Sequence, residues 1–504
     1  MNRLSNASLA TLPAGVARPA YDRGAITPGI VHLGVGAFHR AHQAVLIDDR
    51  LGAGETGWGI TAASLRAPDT ADALNPQDGL YTLAVRDGNG TSCRIIGSIL
   101  DVIVASQARE RLLSAMSDPR VKIVSLTVTE KGYCHDPATG TLNETHPGIL
   151  ADLANPAAPA TAPGLMVEAL RRRRAAGVAP FAVLCCDNLP SNGATVRRVL
   201  SRLGALRDAG LGDFIENEVA FPSTMVDRIV PATTDADRAT IAATLGVRDA
   251  WPVMTEPFCQ WVIQDWFPQG RPRLEDAGAE MVSDVAPHEK MKLRLLNGTH
   301  STMAYLGQLA GLETISDTIS DPAFARFIRQ MMDTDIAPTV PGFTPAQLDA
   351  YKSALIERYR NPALKHRTAQ ISMDGSQKIP QRLLNTARDR LAAGQSIGHI
   401  ATALAGFLRF MTGTGETGAA LPINDPMAPK FAAAAAAAGA TGIARVGTGD
   451  EAAALAARLA PAMLGLTDVF GETGRDPRVA RPVEAALARL YLAGARTTIA
   501  EAST

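Results

Sequence analysis

The sequence predicts an α/β N-terminal domain with a mostly parallel sheet, followed by a mainly α-helical C-terminal domain. Three observations lead there. First, a short apolar strand, Gly29-Ile30-Val31-His32-Leu33, runs directly into Gly34-Val35-Gly36-Ala37-Phe38-His39-Arg40 and a helix through Leu46. Strand, glycine turn and helix in that order are what a Rossmann-type dinucleotide fold requires. Second, further strand-length apolar runs follow, interspersed with helical stretches, as far as residue 285. Third, from 286 on the pattern is mostly helical, broken at Gly311, Pro322, 338–345 and Pro362, with no second alternating series. A chain of 504 residues exceeds one compact core and suits two. The expected division is 1–285, a dinucleotide-binding domain, and 286–504, a helical substrate and catalytic domain.

Composition excludes several classes of function. With 46% apolar and 20% charged residues the chain reads as an ordinary soluble protein. A formal net charge of -1 leaves neither the basic field of a nucleic-acid binder nor that of a membrane-surface protein. The five cysteines, Cys93, Cys134, Cys185, Cys186 and Cys259, are odd in number and lack CxxC spacing. That pattern fits a reducing compartment and argues against a disulfide framework or a zinc site. The N-terminus has no apolar signal core and no run approaches 18 apolar residues, so a cytoplasmic enzyme without a membrane partner is expected.

Residues 1–28 read as a polar, proline-punctuated arm laid over the surface. In the turn that follows, Gly34 permits the tight bend, and Gly36 lets the backbone approach a pyrophosphate held at the helix N-terminus. His39 stands where the general fingerprint has its third glycine, and a two-glycine match also fits an ordinary βα turn. Residues 58–65 give the second strand. Asp69 after it is the candidate acid for the adenosine ribose diol, which favours NAD over NADP. Arg66 nearby would instead suit a 2′-phosphate or stack on adenine. Residues 95–105 and 121–129 supply further strands, the second running into Glu130-Lys131-Gly132-Tyr133-Cys134. Strand ends of this kind point into the ligand crevice, so Lys131 faces cofactor or substrate, or is a solvated loop charge.

Residues 164–176 read as a helix whose four arginines, Arg171 to Arg174, form a solvated C-terminus favourable to its dipole. The strand 181–186 delivers Asp187 and Asn188 to the same crevice, where an Asp-Asn pair also fits a turn or cap. Farther on, Asp227 beside Arg228 fits a short buried ion pair.

The stretch His288 to Gly307 reads as a helix with a broad apolar surface, interrupted by Lys292, Asn297 and His300. At α-helical spacing Lys292 and His300 project about 80° apart, and the trio spans roughly 140°. A lysine, an amide and an imidazole converging from an apolar helix suit metal-free alcohol oxidation. Lys292 would take the hydroxyl proton if burial lowers its pKa, while Asn188 and Asn297 would donate to the developing alkoxide. His300 would hold an adjacent hydroxyl. A partly exposed helix whose Lys and His meet water is the plainer reading. Neither a Cys/His zinc set nor a Tyr-x3-Lys pair is present to support the other routes to this reaction.

Lys292-x4-Asn297-x2-His300 resembles the signature of the polyol-specific long-chain dehydrogenases, the mannitol dehydrogenase family. Gly34, Gly36, Phe38, His39, Arg40 and His42 match that family's glycine-turn motif. So do the strings Cys186-Asp187-Asn188-Leu189-Pro190-x-Asn192-Gly193 and 221–231, and the resemblance runs from about Pro19 into the C-terminal region. It implies NAD as cofactor, Gly34, Gly36, Phe38, His39 and Arg40 around it, and an oxyanion-stabilising amide at Asn188. It places Asp227 near substrate, and it implies that the block His366 to Arg382 closes over substrate. Polyol-oxidising members carry Arg where this chain has Gln370. Thr-Glu-Lys-Gly-Tyr-Cys together with the His366 block looks more like the D-mannonate oxidoreductase (fructuronate reductase) branch. Lys131, Lys378 and Arg382 are candidate cations for an aldonate carboxylate. The expected reaction is therefore D-mannonate to D-fructuronate, with mannitol, arabinitol or sorbitol oxidation as the alternative. A NAD-binding redox regulator is the non-enzymatic alternative. It predicts a DNA-binding module or a degraded catalytic set, and the sequence has neither. A small sugar acid or polyol is the expected partner, and either a monomer or a dimer fits.

Overall fold

The computed structural model describes every residue except 89, 137, 138, 365 and 504. The chain divides into two compact units, Met1–Ala286 and Pro287–Thr504.

Among the described residues the first unit holds β1 (Pro28–Leu33), β2 (Gly59–Ser64), β3 (Tyr81–Asp87), β4 (Gly90–Ile96), β5 (Ile99–Val104), β6 (Ile123–Leu126), β7 (Ala182–Cys185), β8 (Thr224–Asp227), β9 (Val253–Thr255), β10 (Gln260–Gln264) and β11 (Glu280–Val282). Five of them form a wholly parallel sheet in the order β5-β2-β1-β6-β7. β6 and β7 are buried along their whole length and β1 nearly so, as strands covered on both faces must be. The strand order reverses at β1, the position where a doubly wound sheet opens a ligand crevice. Register decides what meets there. Leu33 lies opposite Ala63 and Leu126, and Leu126 opposite Cys185. Gly34, Ser64, Thr127 and Cys186 therefore leave the sheet at one level of one edge.

Two small mixed sheets, β11-β10-β8 and β4-β3-β9, complete the unit. The N-terminal segment differs from the expected surface arm. Leu4, Leu12 and Val16 pack into a core with Leu80, Ala84 and Ile95, and Leu4 donates its N–H to the Arg248 carbonyl at 2.9 Å. Three isolated apolar residues show no periodicity, so their burial does not register as a pattern.

The arginine run also differs from expectation. Arg173 is 2% exposed, donates to the carbonyls of Met116, Asp118, Val121 and Ala179, and lies over the Phe181 ring. Arg171, Arg172 and Arg207 all donate to the buried carboxylate of Glu168. Only part of the run is a solvated helix end.

Among the described residues the regular elements of the second unit are all helices, joined by loops and isolated bridges. Its central element is not the uniform α-helix expected. An α-helix over Ala286–Met291 widens into a π-helix over Lys292–Gly298 and narrows again over Thr299–Leu309. The last segment packs against the helices Gly398–Phe410 and Thr368–Ile371. Glycine sets the closeness of the first crossing, since a Cβ on Gly406 would stand 2.6 Å from the Leu306 side chain. Among the described residues no single helix is long and apolar enough to cross a membrane.

Candidate active site

In the first unit the strand ends open onto a groove of about 460 Å³ lined by Gly34, Val35, Gly36, Ser64, Leu65, Arg66, Ala67, Thr70, Val128, Thr129 and Lys131, among others. Gly34 has φ +94, and a Cβ there would overlap the Thr127 carbonyl, so the turn closes against β6 only with glycine. Gly36 meets no such obstacle. Its missing Cβ would face open space with only the Gly34 oxygen at 3.9 Å, which leaves the backbone bare toward the groove. A bare backbone at the head of a helix fits a dinucleotide pyrophosphate.

A buried hydrogen-bonded layer holds this turn from behind. Thr127 donates its hydroxyl to the Gly34 carbonyl at 2.7 Å, so it accepts from His32 Nε2 at 2.9 Å. His32 Nδ1 then accepts from Ser125 Oγ at 2.8 Å. Burial pushes the His32 pKa down to about 3, which keeps the ring neutral and that tautomer fixed. His39 stacks on His32 at 3.4 Å between centroids and joins Gln43, His42 and the Gln260 carbonyl in a second chain.

His39 and Arg40, expected to touch cofactor, are each 1% exposed and do not line the groove. Arg40 donates to the Trp251 carbonyl at 2.6 Å and lies over the Tyr81 and Trp251 rings. Both side chains leave the helix on its sheet-facing side, so their place in the motif corresponds to supporting the loop. Phe38 is half-buried and stacks on His42 at 5.0 Å. Asp69 is exposed in the first turn of Asp69–Leu74, and the groove wall there is formed by Arg66 and Thr70 instead. Lys131 lies in the opposite wall. Asn188 is exposed just beyond β7, while Asp227, the last residue of β8, is buried.

Sequence reading assigned no role to Asp187, which organises the wall next to Lys131. Its carboxylate accepts from the Val128 N–H at 2.8 Å, the Thr129 N–H at 3.3 Å and the Tyr133 hydroxyl at 2.7 Å. Burial raises its pKa to about 6 despite those donors, and Glu130 adds to the rise. Asn192 likewise fixes the strand end, donating to the carbonyls of Cys185, Asp187 and Thr224.

In the second unit the π turn changes the geometry of the trio. Five α-helical steps place Lys292 and Asn297 about 140° apart. The wider i→i+5 turn brings them to roughly 65° of one another, close to one face. Lys292 and His300 are buried, 8% and 7% exposed, and Asn297 is half-buried. Hydroxyl groups take up carbonyls at the end of the turn. Thr299 donates to Leu295 O at 2.6 Å, Thr302 to Gly298 O at 2.9 Å, and Tyr359 to Leu296 O at 3.0 Å. On the other side Arg294 is tied to Asp389 at 2.6 Å and to the Thr339 carbonyl.

His300 stacks on Tyr359, with centroids 5.4 Å apart, and meets His366 edge-on at 4.7 Å. Its Nε2 is buried and has no hydrogen-bond partner among the described residues. Burial first, then the neighbouring His366 and the positive fields of Arg382, Arg358 and Lys378, hold its pKa well below the usual histidine value. The ring is neutral, and its free nitrogen is ready for a hydroxyl. Arg382 donates to Ser301 Oγ at 2.9 Å, and Gly298 lets the backbones touch, since a Cβ there would stand 3.0 Å from the Arg382 carbonyl. Lys378 donates to the Met373 carbonyl, and Gln370 is exposed. Arg358, His366 and Tyr359 escaped the sequence reading as site residues. His366 began a block already expected to close over substrate, whereas Arg358 and Tyr359 lie in an ordinary helix, Pro345–Arg360.

A parallel-sheet unit with a glycine turn at its switch point, followed in sequence by a helical unit with a buried Lys and His, defines the class of nicotinamide-dependent oxidoreductases. The mannitol dehydrogenase Rossmann domain matches residues 28–276, and the mannitol dehydrogenase C-terminal domain matches residues 284–490. The chain belongs to the mannitol dehydrogenase family and is a dehydrogenase acting on CH–OH groups of polyols or aldonates. D-Mannonate oxidoreductase of Escherichia coli (strain K12) is 46% identical over 82% of this chain and 86% of its own. Mannitol 2-dehydrogenase of Cereibacter sphaeroides is 39% identical over 96% and 98%. Among solved structures, Pseudomonas fluorescens mannitol 2-dehydrogenase, a ternary complex with NAD and D-mannitol, is 36% identical. It has a TM-score of 0.84 over 99% of both chains.

Proposed function

We propose that this chain oxidises the secondary alcohol of an aldonate, D-mannonate to D-fructuronate. NAD is its cofactor, and when bound it supplies the hydride acceptor. The open backbone at Gly36 and the wall at Lys131 fit its phosphates. The residues of this chain do the rest. Lys292 removes the hydroxyl proton. Asn297 and Asn188 each offer an amide N–H to the developing alkoxide, and one such donor contributes about 10²–10³ in rate. Neutral His300 presents Nε2 to a neighbouring hydroxyl, and Asp227 is a further substrate contact. The residues 1–285 thus serve the cofactor and 286–504 carry the base. Thiols kept out of disulfides suit a cytoplasmic enzyme.

One observation carries the choice of an acid substrate. Three cations, Arg382, Arg358 and Lys378, lie close enough to His300 to lower its pKa, and a carboxylate answers that field where a hexitol does not. Arg382, Lys378 and Arg358 are the carboxylate ligands in this reading. Lys131, as a wall of the dinucleotide groove, passes to the cofactor, and exposed Gln370 contributes a polar rim. The second reading, mannitol oxidation, is favoured by the family's mannitol 2-dehydrogenases, which match more of this chain at lower identity.

A screen at 340 nm decides between them. The purified protein is given D-mannonate, D-mannitol, D-arabinitol and D-sorbitol, each with NAD and with NADP. Reduction of NAD by mannonate alone is expected. Arg382→Ala should then raise the KM for mannonate at least tenfold, and Lys131→Ala should raise the KM for NAD. Turnover of mannitol or arabinitol with mannonate inert would refute the acid reading and leave the roles of Lys292 and the amides intact.

A further inference from the structure

We infer that Asp187 is the positioning residue of the cofactor site, its carboxylate locking the Val128–Lys131 wall against the groove while its own backbone fixes Asn188. The inference rests on the groove being the dinucleotide site. Thr129 is a non-glycine residue at φ +65 and ψ +162, a costly backbone state that persists only where its surroundings impose it. What imposes it is the Asp187 carboxylate, which takes the N–H groups of Val128 and Thr129 with its two oxygens. Gly132 completes the turn, since a Cβ there would press on the Val128 side chain at 2.8 Å. The neighbouring peptide groups then present Val128, Thr129 and Lys131 to the groove.

The carboxylate is itself held. The Tyr133 hydroxyl donates to it at 2.7 Å, so Tyr133 accepts from the Cys185 thiol at 2.9 Å. Cys185 is fully buried and its pKa is pushed up to about 12, by burial first and then by Asp187, which keeps it a thiol and a donor. The Asp187 carbonyl takes an N–H of Asn192 at 3.2 Å, and Asn188 follows in sequence. One residue thus joins the cofactor wall to the amide assigned to the alkoxide.

Three donors converge on this side chain, and a protonated carboxyl would lose an acceptor to one of them. Its pKa of about 6 brings that loss near neutrality. Tyr133, Cys185, Cys186 and Glu130 are the titratable groups that face it. Of these the Tyr133 hydrogen bond lowers its pKa and the Glu130 charge raises it.

The test is NAD binding by the full-length protein, followed by calorimetry from pH 7.5 to 5, with circular dichroism as the check on folding. The parent should bind NAD progressively more weakly below about pH 6. Asp187→Asn should bind it about tenfold more weakly at pH 7.5, with that acid limb gone, because its amide nitrogen faces a donor. Tyr133→Phe should weaken binding a few-fold and move the acid limb to higher pH, a shift that a purely structural tyrosine would not cause. Parent-like affinity in a folded Asp187→Asn overturns the inference. If Asp187→Asn does not fold, the parent and Tyr133→Phe decide: a parent affinity flat from pH 7.5 to 5, or an unmoved limb in Tyr133→Phe, overturns it as well. Gly36→Val separates the underlying reading, since its Cβ enters the groove without a clash in the fold. Unchanged NAD binding by Gly36→Val would refute the groove assignment itself. Loss of binding there with Asp187→Asn unaffected would refute only the role of Asp187.

Discussion

Lys292 opens the π turn with its side chain buried, and Met is the substitution that keeps its length and packing while removing the amine. Lys292→Met is expected to lower kcat by roughly 10²–10⁴ and to leave the affinity for NAD unchanged in a calorimetric titration. Activity within tenfold of the parent would remove Lys292 from the role of base. Gly34 makes a different demand, since it is fixed by conformation. Gly34→Ala would place a Cβ on the Thr127 carbonyl at positive φ, so it should cost about 1–3 kcal/mol and weaken NAD binding as the turn shifts. A denaturant melt equal to the parent's would show that the turn relaxes at no cost.

At the scale of elements, the π turn is what brings Lys292 and Asn297 toward one face of the helix. Inserting one alanine after the half-buried Leu293 adds a helical step and should turn Lys292 by about 100° from the face of Asn297 and His300. The expected outcome is native-like helical content and NAD binding with kcat at least about 10²-fold lower, whereas Leu293→Ala retains most activity. An active insertion variant would show that the face defined by the wider turn is not needed. No residue pattern announces such a turn. Apolar side chains mark a buried face at either pitch, and the hydroxyls of Thr299, Thr302 and Tyr359 that take up its carbonyls read as ordinary helix residues. The glycine turn and the parallel strands were legible because burial on both faces leaves β1, β6 and β7 as mostly apolar runs, interrupted by His32 and Ser125, that end in a glycine or polar turn. β9 and β11, three residues each, are too short to show a period. The side of a motif is equally hidden. Gly34 and Arg40 belong to one string, yet Gly34 faces the groove and Arg40 the core, because Gly34 lies in the turn after β1 and Arg40 on the helix Ala37–Ala41 that follows it.

For the molecule as a whole, resistance to acid should depend on a single carboxylate that binds three helices together. Glu168, on Ala162–Ala175, is 1% exposed. It holds Arg171 and Arg172 of its own helix and Arg207 at the end of Asn192–Arg207, while Arg172 continues to Glu110 of Ala105–Ser117 at 2.5 Å. Burial pushes the Glu168 pKa up, but the hydrogen bonds from Arg171, Arg207 and Arg172 outweigh it and hold the pKa at about 2, below the ordinary 4.5. A carboxyl whose folded pKa is depressed contributes stability in full above its unfolded value, and loses it as pH falls through the folded one. The window is therefore about pH 4.5 down to about 2. The shift corresponds to roughly 3 kcal/mol at most, nearer 2 kcal/mol once screening at half-exposed Arg171 and quarter-exposed Arg172 is discounted. Glu168→Gln keeps the shape and removes the charge, so urea melts at pH 7 should place it about 2 kcal/mol below the parent. By pH 3 the gap should narrow by more than half, because the parent then pays to keep Glu168 ionised only in its folded form. A gap that stays constant from pH 7 to pH 3 would mean that the three arginines are held by packing, with the carboxylate serving only as a spacer between helices.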